Sequence, residues 1–254
     1  MQMTQLITRL GRNDVKLIRR DSFLLFMFAF VLIIATVLRF GMPALNDYLR
    51  ENNVLNETTA IPSLEAIYPM IVAYMTLYTG ALLVGTIFGF MLLDEKDDST
   101  IKAMLVAPIS MNQYLTYRVG MPVFIAFVVI LFQFLFINQA LVPLWQIMTL
   151  AAGASLTAPI VSLFFATFAA NKVQGFALSK FGGVAGWTVM LGWFVPMPLQ
   201  LVIGVFPPFW MSKAYWMILE GNDWWWATFV IGVVTQLVLI AVLMRRFETA
   251  AHQS

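Results

Sequence analysis

Charge-free apolar runs divide the chain into segments of membrane length. A helix needs about 20 apolar residues to cross about 30 Å of hydrocarbon, and the first such run, Ser22 to Leu38, is ended by Arg39. The second, Ala66 to Leu93, holds 28 residues, so its helix should tilt or project beyond the bilayer. From Val119 to Asn171 there are 53 residues without a charge, enough for a hairpin. Asn138, Gln139 and Pro143 mark its turn, which gives a third span near Val119 to Ile137 and a fourth near Leu144 to Ala170. The run Phe181 to Ser212 is too long for one helix and contains Pro196, Pro198, Pro207 and Pro208. It reads as a fifth span near Phe181 to Phe206 followed by an irregular segment, whose backbone needs protein or water around it because lipid satisfies no free amide. A sixth span, Trp224 to Met244, opens on three tryptophans as an interfacial anchor and closes on Arg245 and Arg246.

The pattern therefore predicts an all-α integral membrane fold of six transmembrane helices, with the whole chain, 1–254, as one transmembrane domain. Composition agrees: 61% of residues are hydrophobic and 11% charged, against about 25% charged in soluble proteins. The net charge of +2 is too balanced to imply a nucleic-acid partner. With no cysteine there are no disulfides, thiolate metal sites or cysteine nucleophiles, and a single histidine, His252, excludes a multi-histidine metal site. No connection reaches 30 residues, which leaves no room for a soluble catalytic domain. Neither HExxH nor a Ser/His dyad occurs, so an enzyme is not expected. Asn56, Glu57 and Thr58 match a glycosylation sequon, read as a chance occurrence.

Lysine and arginine set the expected orientation. Twelve of the fifteen fall in the N-terminal segment, the loops after the second and fourth spans, and the tail; Arg39, Arg50 and Lys213 fall on the other side. Both termini should be cytoplasmic. The arginines before the first span, with no small-residue cleavage site directly behind it, read as part of a retained helix and not of a signal peptide.

Two segments outside the spans carry pattern. In residues 1–21, Met3, Leu6, Ile7, Leu10, Leu17 and Ile18 share one helical face, and Arg9, Arg12, Lys16, Arg19 and Arg20 share the opposite one. Asp14 alone interrupts the apolar face. This predicts an interfacial helix on the cytoplasmic leaflet, its cations towards anionic lipid headgroups; the plainer alternative is a topology anchor. In the loop 94–118, Asp97, Asp98 and Ser99 are N-cap candidates and Ile101, Met104 and Leu105 follow at helical spacing until Pro108. That predicts a short cytoplasmic helix, whose apolar edge needs the membrane surface or a partner's groove.

The same loop resembles that of ABC-2 type exporter permeases, in which an acidic pair after the second helix leads into a short coupling helix ending in Pro and Ser. The matching residues are Asp94, Glu95, Lys96, Asp98, Ser99, Thr100, Leu105, Pro108 and Ser110. Asn171 to Lys180 resembles the family's loop between its fourth and fifth helices, and the amphipathic N-terminus, six spans and broken segment extend the likeness over nearly the whole chain. The chain also resembles the fluoroquinolone and multidrug export permeases. It implies a permease subunit that moves a hydrophobic or amphipathic compound, pairs with a second permease chain, and couples to an ATP-binding cassette subunit through Glu95, Asp98, Thr100, Ile101, Met104, Leu105 and Pro108. ATP and Mg would belong to that partner, since no G-x-x-x-x-G-K-[ST] occurs here.

The spans as read contain no ionisable residue in their interior, which removes the usual relay of a proton-coupled carrier. Sodium coupling at the breaks around Pro159 or Pro196 stays open, so an ion-coupled carrier is the alternative. Tyr74, Tyr78, Leu82, Gly85 and Gly89 form one stripe, and Gly182, Gly186, Met190 and Trp193 another. Helix packing explains both. The resemblance offers a second reading, a substrate path at the centre of a permease dimer in which Tyr74, Tyr78, Met190 and Trp193 make adaptable apolar contacts.

Overall fold

A computed structural model describes residues 3–55, 63–97 and 111–253, helical almost throughout and with no strand among the described residues. Helix α1 (Met3–Arg20) carries the amphipathic pattern. A single extended residue, Asp21 (φ −98°, ψ 107°), breaks its axis and caps α2 (Ser22–Thr36) by accepting from the Phe23 and Leu24 amides at 2.9 and 3.3 Å. Helix α2 does not stop at Arg39. It passes through a π-helical turn (Val37–Gly41) into α3 (Met42–Glu51), and Ser22–Glu51 is one long apolar element. Arg39 is tolerated inside it because Nη1 donates to the Phe136 carbonyl at 2.5 Å and the guanidinium lies 5.0 Å from the Phe136 ring centroid.

The second span is longer than its apolar run: a 3-10 turn (Leu64–Ile67), α4 (Tyr68–Val72), a π-helical turn (Ala73–Tyr78) and α5 (Thr79–Asp97) follow without interruption. It is the central helix of the bundle. Of its most apolar stretch 83% is buried, against 28% and 22% for the first and last candidate spans. Helix α6 (Met111–Ile137) begins eight residues before the expected Val119 and so takes Tyr114, Tyr117 and Arg118 out of the loop and into the helix. The hairpin turn falls where Asn138 and Pro143 place it, with Asn138 at φ 54° and Ala140 at φ 48°; the Tyr215 hydroxyl donates to the Ala140 carbonyl at 2.7 Å.

The fourth span is two helices, α7 (Leu144–Ser155) and α8 (Thr157–Phe168), broken at Leu156. Pro159 explains the break: its ring excludes the Ser155 carbonyl and it has no N–H to offer. Gln236 stitches the joint, its amide donating to the Gly153 carbonyl at 3.2 Å and its carbonyl accepting from Thr157 at 2.9 Å. Helix α8 packs on α5 over the most extensive interface among the described residues.

The fifth span departs furthest from expectation. Helix α9 (Lys172–Phe194) starts nine residues before Phe181, capped by Asn171, and ends twelve before Phe206. It has Lys172 and Lys180 within it. Among the described residues five elements, and not the expected six, are long and apolar enough to cross a membrane, and α9 is not one of them: Ser22–Glu51, Leu64–Asp97, Gln113–Ile137, Leu144–Phe168 and Trp225–Phe247. After α9 the chain turns through a cis Met197–Pro198 peptide, α10 (Gln200–Ile203) and α11 (Phe209–Leu219), then enters α12 (Trp225–Gln253). Three carbonyls in and before the irregular stretch are satisfied from within. Gln200 Nε2 donates to the Gly192 and Val195 carbonyls at 3.0 and 2.8 Å, and Trp210 Nε1 to the Gly204 carbonyl at 2.8 Å.

Candidate functional site

Three residues of the apolar face of α1 are covered by protein: Leu10 packs against a cluster of Leu92, Tyr114, Leu115, Ala166 and Phe247, and Leu17 and Ile18 against the main core. Asp14, the residue out of pattern on that face, is 3% exposed because it meets Arg118, itself 1% exposed. Arg118 Nη1 lies 3.2 and 3.1 Å from the two Asp14 carboxylate oxygens, and Nη2 pairs with Glu95 at the end of α5. Tyr117 donates its hydroxyl to Asp14 at 2.6 Å, and Tyr114 donates to Glu95 at 2.6 Å. The guanidinium also lies 5.6 and 5.4 Å from the ring centroids of Tyr114 and Tyr117. One buried cation thus joins α1, the last turn of α5 and the first turns of α6. A guanidinium suits this task, since its planar fork serves two carboxylates at once.

A second, more exposed knot lies at the same end of the bundle. Lys172 Nζ, at the start of α9, reaches Asp21 at 3.1 Å and Asp94 at 3.0 Å, and Lys96 Nζ donates to the Ala169 carbonyl at 3.0 Å. Burial works against the Asp21 charge, but Lys172 and the Leu24 and Phe23 amides outweigh it and hold the carboxyl below the usual carboxylate range. Asp21 and Asp94 also line an open cleft of about 350 Å³ with Leu17, Arg20, Ser22 and Leu24. Among the described residues no group of three His, Asp or Glu could hold a metal.

Of the residues expected to couple to a partner, Glu95 is described and its carboxylate points into the Arg118 cluster. Asp98, Thr100, Ile101, Met104, Leu105 and Pro108 lie outside the described residues, as does the sequon Asn56, Glu57 and Thr58. The loop expected over 94–118 is narrower, because Asp94 to Asp97 and Met111 to Arg118 are helical.

The aromatic residues of the two stripes fall into two separate contacts. Tyr74 and Tyr78 occupy the π-helical turn, their rings stacked at 5.9 Å, and the Tyr78 hydroxyl donates to the Gly182 carbonyl at 2.5 Å. Gly186 presents no side chain to them, and a Cβ there would collide with the Tyr78 ring. Trp193 instead meets Trp216 of α11 edge to face at 5.1 Å, and Met190 packs against the main core.

Sequence reading missed the charged cluster in an instructive way. Asp14 was visible as a flaw in an apolar face and Arg118 as a charge at a helix boundary, but nothing in the linear pattern joins positions 104 residues apart.

Long apolar helices around a buried central span, with the buried ion pairs of Arg118 at one end, define a multi-pass membrane protein. The chain belongs to the family described as "Fluoroquinolones export permease protein Rv2686c-like", which matches residues 14–244. Two relatives from Mycobacterium tuberculosis, strains CDC 1551 and H37Rv, are each named fluoroquinolones export permease protein. Each is 27% identical over 241 residues, covering 94% of this chain and 92% of the relative. This agrees with the resemblance to ABC-2 type export permeases carried by the sequence. No solved structure matches the chain.

Proposed function

We propose that the chain is the membrane-spanning permease subunit of an ATP-binding cassette exporter that moves a hydrophobic or amphipathic compound, a drug among the candidates, out of a bacterial cytoplasm across the inner membrane. The observation that carries this reading is the family match over residues 14–244, whose relatives are named as fluoroquinolone exporters. In this assembly α9 is the sixth crossing, both termini are cytoplasmic, and the cationic face of α1 lies against anionic headgroups. Two permease chains pair with two ATP-binding subunits, which hold ATP and Mg and dock on the segment between α5 and α6. Tyr74 and Tyr78 line the substrate path with Met190 and Trp193. The chain itself performs no catalysis.

The ion-coupled carrier is the weaker reading. Arg118, Glu95 and Asp14 do supply buried ionisable groups, but these stand on α1, at the end of α5 and near the start of α6, away from the mid-membrane position that such carriers use.

Docking is tested by replacing Met104 and Leu105 together with Asp, which sets charge in an apolar contact at a cost of several kcal/mol. Because these residues lie outside the spans, the variant should reach the membrane in normal amount, lose co-purification with the ATP-binding subunit and stop transporting. Retention of both by the double variant overturns the reading.

A further inference from the structure

The Asp14–Arg118–Glu95 cluster does something the stability of the fold does not require. A buried ion triad contributes little that well-packed apolar residues of similar volume would not, because desolvation consumes most of the Coulombic gain. What it supplies is geometry. Arg118 reads one carboxylate from α1 and one from α5 while itself belonging to α6, so the three helices share a single register. Glu95 stands three residues before the segment 98–110, and Arg118 eight residues after it. Both stems of the segment between α5 and α6 are therefore tied to each other and to α1. On α1, Asp14 stands opposite the cations: at about 100° per residue Arg12, Lys16, Arg19 and Arg20 fall between about 140° and 240° from it, and all four are exposed.

We propose that Arg118, Asp14 and Glu95 are positioning residues, which lock α1 to the stems of α5 and α6 so that a push on the segment between them moves the three helices as one body. This rests on the exporter reading for its consequence in transport, though not for its geometry.

The test removes all three charges together, in the variant Asp14→Leu, Glu95→Met, Arg118→Met, so that no unpaired charge is left buried. Its thermal midpoint in detergent should fall less than that of Arg118→Met alone, because the Tyr114 and Tyr117 hydroxyls lose their acceptors but no buried charge is left unpaired. Because the chain has no cysteine, Arg12→Cys and Asp97→Cys place spin labels on α1 and on the end of α5 without background, and both sites are exposed. Pulsed electron resonance should give a single narrow distance distribution in the native background and a broadened or shifted one in the triple variant. Transport per assembled complex should fall at least tenfold. An unchanged distance distribution overturns the positioning role, whatever the transported compound. An altered distribution with native transport removes the link to coupling and also overturns the proposal. Should the triple variant not accumulate, Arg118→Lys replaces it: a point ammonium lacks the fork, and the same broadening is expected. Failure of the exporter reading shows separately, as absence of any ATP-binding subunit on the native chain.

Discussion

Arg118 is the residue on which the α1 end of the bundle turns. Removing it alone, as Arg118→Met, leaves Asp14 and Glu95 buried without a counter-charge. The expected loss is about 3 to 5 kcal/mol, read as a lower thermal midpoint and reduced accumulation in the membrane. Arg39 is the instructive contrast. It too lies within a long apolar helix, but it meets a backbone carbonyl and an aromatic ring, and among the described residues no carboxylate pairs with it. Arg39→Met should therefore cost less than half as much in the same measurement. Charge count along the chain treats the two arginines alike; the partners that meet them do not.

At the scale of elements, the contact of α9 with the central span depends on the absence of side chains. Gly186 faces Tyr74 and Tyr78, and any Cβ there must move a ring or the helix. Gly183, one turn earlier, has nothing within 4 Å of where its Cβ would stand. Gly186→Leu should therefore overpack the contact, at about 1 to 3 kcal/mol, and weaken the hydrogen bond from Tyr78 to the Gly182 carbonyl. Gly183→Leu should be tolerated or slightly stabilising, because leucine is the better helix former. The thermal midpoints of the two variants, compared side by side, check this, and equal midpoints would show that α9 does not pack as described. The π-helical turn at Ala73–Tyr78 belongs to the same scale: it rotates the two tyrosines relative to α5 below them.

For the whole molecule, the ion pairs of Arg118 and Lys172 join the end of α5 and the starts of α2, α6 and α9 to α1. Asn53, beyond α3, and Asn222, between α11 and α12, lie at the far ends of their helices from this belt. Single cysteines at those two positions should react with an impermeant maleimide added to intact cells. A cysteine at Ala170, beside the start of α9, should react only after the membrane is opened. Labelling at Ala170 from outside would reverse the orientation and place the charged belt on the outer face.

Apolar run length is a property of sequence alone, because bilayer thickness fixes how many residues a span needs. On that basis the all-helical class, the multi-pass character, the hairpin at Asn138 to Pro143 and the amphipathic α1 were all legible. Family membership was legible too, through the resemblance around Asp94 to Ser110. Helix ends were not, because a charge ends an apolar run without ending a helix: Arg39 and Arg118 both continue in helical backbone once a carbonyl, a ring or a carboxylate receives them. The start of α9 at Lys172 has the same cause, with Asp21 and Asp94 receiving the lysine. Only tertiary structure could decide what lies opposite Asp14. Whether a charge on an apolar face is a flaw or a fastening depends on the residue that packs against it, and local periodicity holds no information about a partner 104 positions away.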